Sequence, residues 1–521
     1  MPTNHLPTAA EVFAGLPPAL PDDDQRRESV RAMRAADGLL LGALDDDPTG
    51  SQAVHGVQVV TVLEQDAYQA AFDAAPVCFV LTNTRSLAEP AAAERSRHAA
   101  DGLIAVAGRR GARIQLVSRS DSTLRGHVMA EVAALQAARR QALGRGFDGV
   151  LLVPAFLEAG RLTAGDIHWA RSGGELVPAG QTEFARDAAF GYTASDLKEF
   201  ISEKSAGRIA PAEVASISLA DIRLGGPSRV RDLLAAVQDG SWVVVNATEY
   251  SDLDTVACGV LLAERAGRSF LFRTGPSFVR ALAGLAPMAP LRGREIWPAG
   301  HRPGHGLIVV GSHVGQSTRQ VAALRAAGGS ADIEVDVAAV MARPGQVVAD
   351  TARQVTAALS RSDVLLYTSR TLVPGRDAAD GLAIARTVSA ALSRIVGDAL
   401  AAGPAWIIAK GGITSHDVAV HGLGIRRAEV AGQLFPGMIS VLRPIDAAAA
   451  AVGIPYVVFP GNVGDDQALA EVVALLGQEL QFGRAEADRA VIHFLPDQLQ
   501  GLEGGAERAV WVVDEPAGFR A

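Results

Sequence analysis

Cysteine is nearly absent from the 521-residue chain, and its two copies, Cys78 and Cys258, lie far apart with no CxxC around either. That excludes a disulfide framework and a cysteine-ligated zinc site. Aromatic residues make up only 5%, so the core must be built from aliphatic side chains and close helix–sheet packing. No apolar run reaches the roughly 20 residues that a membrane-spanning helix needs. The start, Met1-Pro2-Thr3-Asn4-His5, lacks a basic segment followed by an apolar core, so no signal peptide is evident and a cytoplasmic location is expected. Positive charge is also short. The net charge of −9 argues against nucleic acid or an anionic membrane as partner. Lysine occurs only at Lys198, Lys204 and Lys410, so nearly every basic residue is arginine.

What remains describes an ordinary globular protein, with 49% hydrophobic and 20% charged residues. The length exceeds the size at which one hydrophobic core stops growing, so two domains are expected. Short apolar runs at 39–44, 77–81, 114–117 and 150–153 read as buried strands, with helical spacing at 91–107 and 128–138. A strand at 241–246 and a helix at 252–266 follow. The richest proline and glycine stretch, 286–306, reads as a linker. Strands then resume at 307–310, 364–367, 406–409 and 456–459. The expected fold class is α/β, with domains at 36–285 and 307–483, each a mostly parallel sheet flanked by helices. Residues 1–35 and 484–521 read as terminal extensions, the second with a strand-like run at 509–513.

Chemistry gathers at the ends of the first strands, where a parallel sheet binds ligands. The turn Asp45-Asp46-Asp47-Pro48-Thr49-Gly50 puts three carboxylates after the first strand. Asn83-Thr84-Arg85-Ser86 follows the second, and Ser118-Arg119-Ser120-Asp121-Ser122-Thr123-Leu124-Arg125-Gly126-His127 the third. A fourth loop, 158–165, adds Arg161. Arginine suits a bidentate grip on a carboxylate, and hydroxyls suit a polyol. One polar loop alone is as readily a helix cap, but four at one sheet edge favour a site.

The second domain has three glycine turns after strands: Gly311-Ser312-His313-Val314-Gly315, Lys410-Gly411-Gly412-Ile413-Thr414 and Pro460-Gly461-Asn462-Val463-Gly464. Such turns let backbone N–H groups approach phosphate, and the following helix adds its dipole. Ser317 with Gln320, and Thr414 with Asp417, have the spacing of capping boxes. Neither GxxxxGK[ST] nor a GxGxxG after a strand occurs. Lys410 ends an apolar strand, where a compact ammonium can meet a phosphate.

Two enzymatic readings share the acids. Asp45-x-Asp47-x-Thr49 fits the DxDxT signature of haloacid-dehalogenase-type phosphatases, with Asp45 as nucleophile, Asp47 as acid/base and Mg²⁺ between them. The rest of the chain resembles the four-carbon acid sugar kinases. The resemblance rests on Asp46-Asp47-Pro48-Thr49-Gly50 (the family's DDxTG), Arg119-Ser120-Asp121-Ser122-Thr123-Leu124-Arg125-Gly126 (its KxDSTLRG), Pro154-Ala155-Phe156, Gly160-Arg161-Leu162-Thr163 and Gln181-Thr182-Glu183-Phe184-Ala185-Arg186-Asp187. The three glycine turns continue it in the same order, so it spans 38 to about 480. Arg119 stands where the family has lysine, and Val314 where its first glycine turn has a second serine. The third reading is a sugar-acid-binding protein without catalysis.

The resemblance implies an N-terminal sugar-acid-binding domain and a C-terminal nucleotide-binding domain, facing each other across an active-site cleft. It implies ATP with Mg²⁺, and transfer to the terminal hydroxyl of a four-carbon sugar acid such as threonate, erythronate or a 3-oxo-tetronate. Asp46 and Asp47 are then the catalytic acids, one the base and the other toward Mg²⁺. Thr49, Gly50, Arg85, Arg119, Ser120, Asp121, Ser122, Arg125 and Arg161 fall on the acceptor side. Ser312, Lys410, Gly411, Gly412, Ile413, Thr414, Gly461, Asn462 and Gly464 fall on the nucleotide side. The oligomeric state stays open, a homodimer being the commonest closed symmetry.

Overall fold

The computed structural model describes residues 7–47, 50–172, 175–297, 304–311, 314–369, 378–435, 437–461 and 463–477. The expected extension at 484–521, with its strand-like run, lies outside these residues. Strands of the first half are β1 (Leu39–Asp45), β2 (Gln58–Val60), β3 (Val77–Leu81), β4 (Arg113–Arg119), β5 (Gly149–Val153), β6 (Arg161–Ala164), β7 (Ile167–Ser172), β8 (Glu175–Pro178), β9 (Ala215–Ile217), β10 (Ser241–Val245) and β11 (Phe270–Thr274). The second half adds β12 (Leu307–Val310), β13 (Ser330–Val335), β14 (Asp363–Thr368), β15 (Ile407–Lys410), β16 (Arg427–Phe435), β17 (Ile439–Asp446) and β18 (Tyr456–Phe459). Within the described residues, the strands expected from apolar runs are present within a residue or two. Runs such as Leu39–Asp45 are buried along their whole length, as strands covered by helices on both faces must be.

The architecture is α/β with two parallel halves, but the halves do not own separate sheets. Their strands form one fifteen-stranded sheet in the order β13-β14-β12-β15-β18-β17-β16-β2-β3-β1-β4-β11-β5-β10-β9. The join is the antiparallel pair β16 and β17, which pair with β2 on one side and β18 on the other. Nothing in the apolar pattern announces that pair, because β16 carries Arg427, Glu429, Gly432 and Gln433 among its apolar residues. A small three-stranded sheet, β6-β7-β8, stands apart, so the expected loop around Arg161 is the start of a strand.

Each of the three pairings across the join is antiparallel. Three reversals leave the parallel strands of the second half running opposite to those of the first. In a flat sheet the ligand-binding ends would then lie at opposite edges. The β16–β17 pair shifts register at three places, and such bulges bend and twist a ladder. Its turn comes back onto the first half: a β-carbon built on Gly437 would lie 2.2 Å from Glu158 Cβ, and Gln52 Nε2 donates to the Met438 carbonyl at 3.5 Å.

The described parts of the expected N-terminal extension and linker make contacts with the rest of the chain. Helix Asp24–Ala36 is capped by the Asp23 side chain, which accepts from the Gln25 N–H. It buries Val30 completely and sends Arg27 to Asp254 at 3.2 Å, both ends nearly inaccessible. Within the expected linker, Leu291 N–H donates to the Gln433 carbonyl at 2.7 Å, and Ile296 is fully buried.

Burial pushes the Asp254 carboxyl up to about 6, with Arg27 pulling it back. Removing one partner of a buried pair leaves an uncompensated charge. Arg27→Met is therefore expected to cost about 3 kcal/mol in urea unfolding at pH 7, and Arg27→Met with Asp254→Asn to recover much of it. Equal losses in the single and double variants would remove the ion pair from the account.

Candidate active site

β1 lies between β3 and β4 in parallel register, with Asp45 level with Leu81 on one side and Arg119 on the other. This register brings the acidic turn and the loops after β3 and β4 to one edge. Arg119 Nη1 meets Asp45 Oδ1 at 2.6 Å, and neither side chain is more than 4% exposed. Burial pushes the Asp45 carboxyl up to about 7 against the pull of Arg119. Its Oδ2 has no hydrogen-bond partner. Gly50 closes over it: a β-carbon built there would lie 1.8 Å from that oxygen. A nucleophile needs open approach to phosphorus, so Asp45 cannot serve a phosphatase and the DxDxT reading loses its first residue. Arg119, expected on the acceptor side, is committed to holding Asp45.

Asn83, at φ +49°, starts the turn Thr84–Ser86, and the Arg85 N–H returns to the Asp46 carbonyl at 3.3 Å. The Arg85 side chain then forks onto both remaining acids. It reaches Asp46 with Nη2 at 2.7 Å and Nε at 3.2 Å, and Asp47 with Nη1 at 3.3 Å. Burial raises the Asp46 carboxyl above its ordinary range, with Arg85 opposing. Arg125 Nε bonds Asp121 at 2.6 Å, and the Thr123 hydroxyl donates to the same oxygen. Burial would raise Asp121, but Arg85 and Arg125 hold it well below the carboxylate range. Gly126, at φ +119°, leaves room beside the acids: a β-carbon there would sit 3.1 Å from Asp46 Oδ2.

That room continues into a cavity of about 580 Å³ lined by Arg85, Ser86, Gly126, His127, Phe190 and Lys204. His127 and Lys204 were assigned no part from the sequence. Phe190 could not be singled out either. Arg125 and Arg161 both lie over the Phe184 ring, at 5.1 and 5.7 Å from its centre. Phe184 stands within a recognised motif, but only the fold shows that it seats two guanidiniums. Ser120 and Ser122 are nearly buried. The Ser120 N–H donates to Thr274 at 2.8 Å, and the Ser122 carbonyl accepts from His168 Nε2 at 2.7 Å. Their backbones brace the loop. His168 is neutral, since burial lowers it to about 4.

In the second half β12, β15 and β18 are neighbours, so their three glycine turns adjoin. A β-carbon on Gly311 would lie 2.4 Å from Thr414 Oγ1, and the Gly411 N–H donates to Phe459 at 2.8 Å. Ile413 is exposed. Lys410 is not at the open edge expected of it. It is fully buried, bonded to the Pro460 carbonyl at 3.0 Å and set 3.9 Å above the Phe459 ring. Thr49, Ser312 and Asn462 lie outside the described residues. The two halves meet at Asp47 and Gly412: a β-carbon built on Gly412 would lie 3.7 Å from Asp47 Oδ2.

The Asp45 carboxyl gives a pH test. Its folded-state value is raised, so the stability it contributes is present below about pH 4 and is lost as pH rises through about 7. Wild type should therefore weaken relative to Asp45→Asn between those limits, as measured by urea unfolding. A pH-independent difference would mean that Asp45 is ionised throughout.

Two family models match the chain: a sugar-binding N-terminal domain over residues 41–282 and a nucleotide-binding C-terminal domain over residues 307–469. No curated protein matches it. Among solved structures, a Salmonella typhimurium LT2 protein described as a tRNA synthase aligns with TM-score 0.62 and 17% identity, over 83% of this chain and 98% of that one. A Haemophilus influenzae protein, HI1011 of the family DUF1537, aligns with TM-score 0.56 and 18% identity, over 84% of this chain and 100% of that one. At such identities these structures share the fold and no more. With both domain models matched in order over most of its length, the chain belongs to the four-carbon acid sugar kinase family.

Proposed function

We propose that this protein transfers the γ-phosphoryl group of ATP to the terminal hydroxyl of a four-carbon sugar acid, a threonate, an erythronate or a 3-oxo-tetronate. The observation that carries the reading is the approach of Asp47 to Gly412, which sets the acids of one half against the glycine turns of the other. Phosphoryl transfer asks for an oriented hydroxyl and matched charge, and little covalent help. The acceptor's carboxylate suits Arg125 and Arg161, whose guanidiniums both pack on the Phe184 ring. Its terminal hydroxyl then lies toward Asp46, which borders the space beside Gly126.

Asp46 is the base in this reading. Its raised carboxyl moves toward working pH, where proton transfer is most effective. The Arg85 fork holds Asp46 in place and balances the acids until substrate enters. Asp47 belongs to the donor side. Among the described residues no group of three potential metal ligands is assembled, which suits an ion carried in by phosphates and met by one or two carboxylates. Mg²⁺ bound there would neutralise charge on the phosphates, and Asp47 is the carboxylate placed to hold it.

A coupled assay over a panel of tetronates should show ATP consumption only when a sugar acid is present. Asp46→Asn should lower kcat by about 10²–10⁴-fold with the KM for ATP little changed. Asp47→Asn should instead raise the KM for ATP at limiting Mg²⁺. Phosphatase activity without ATP consumption would defeat the kinase reading, and full turnover by Asp46→Asn would defeat the choice of base.

A further inference from the structure

Three side chains that bind no substrate in the account above converge on the backbone of the turn after β18. Lys410 Nζ donates to the Pro460 carbonyl at 3.0 Å and approaches that of Gly461 at 3.5 Å. Ser317 Oγ donates to the Gly461 carbonyl at 3.0 Å. Gln320 Nε2 spends both hydrogens on the turn, reaching the carbonyls of Val463 at 3.0 Å and Asp465 at 2.6 Å. All three side chains are fully buried. Gln320 Oε1 has no hydrogen-bond partner at all. An amide placed this way is costly to bury, and an aliphatic side chain would fill the space without that cost. The donors of Gln320 are what the site uses.

The consequence follows from the planarity of the peptide. In a trans peptide the C=O and the next residue's N–H point in opposite directions, and no cis bond occurs in the described chain. A Pro460 carbonyl pinned toward Lys410 directs the Gly461 N–H away from it. A Val463 carbonyl pinned toward Gln320 directs the Gly464 N–H away likewise. Gly464 holds φ +79°, and a β-carbon there would meet Ala468 Cβ at 2.4 Å. Two N–H groups of one turn, both directed away from the buried donors, are partners an anion can use.

We infer that Gln320, Ser317 and Lys410 are positioning residues that fix the polarity of this turn, so that Gly461 and Gly464 offer their N–H groups to the phosphates of the nucleotide. The inference rests on the kinase reading and refines it: phosphate affinity is set by buried donors behind the turn. Burial also drops Lys410 to about 7, and an amine donates to the carbonyls in either protonation state.

The test is Gln320→Met, which keeps volume and removes both donors. The KM for ATP should rise about tenfold or more, while the inhibition constant of adenosine, the KM for the sugar acid and the melting temperature stay near wild type. Ser317→Ala removes one donor and should give a smaller rise in the same direction; it carries the comparison alone if Gln320→Met does not fold. An unchanged KM for ATP in the folded variants, or equal weakening of ATP and adenosine, would overturn the inference. A wild-type protein that turns over no ATP with any sugar acid would instead overturn the kinase reading beneath it.

Discussion

Two parallel sheets present their ligand-binding edges to each other only when the halves run in opposite senses and the connection between them bends. Three successive antiparallel pairings supply the opposition here, and the bulged β16–β17 pair supplies the bend. Every interdomain feature depends on that constraint. Asp47 meets Gly412 because of it, and the Gly437 turn packs against Glu158 because of it. One fewer reversal would put the acids and the glycine turns on the same edge of one broad sheet, side by side and unable to oppose each other.

Within the first half, electrostatics sorts three adjacent aspartates into three different states. Asp45 is sealed by Gly50 and held by Arg119, so its carboxyl rises to about 7. Asp46 is buried but borders the space left by Gly126. Asp47 is 23% exposed and faces the other half. Partners and access, rather than sequence position, separate their surroundings. In the second half the one lysine, Lys410, turns inward onto the Pro460 carbonyl.

Much of this was legible in the residues. Runs such as 77–81 and 307–310 became the strands Val77–Leu81 and Leu307–Val310 because a strand buried on both faces leaves an uninterrupted apolar signature. Within each half, the loops after such strands converged because parallel register brings their ends to one edge. The β16–β17 pair was invisible: its residues mix charge, glycine and apolar side chains, and its pairing is decided by neighbours far along the chain. The helix Asp24–Ala36 looked like an extension, since its surface is dominated by arginine and acid and its anchor, Arg27 to Asp254, is 227 residues long-range.

The sequence by itself determined the α/β class, the family, and the set of acids, arginines and glycine turns, because these depend on local patterns and on spacing within single loops. Tertiary structure alone decided what surrounds each member. Asp45 is sealed by burial, Arg119 is paired with Asp45, and Lys410 bonds the carbonyls of the next turn. Phe184 gained a role by lying under two guanidiniums. The physical reason is the same in each case: a side chain's charge state and reach are set by the solvent and partners around it, and those come from segments that the local sequence does not contain.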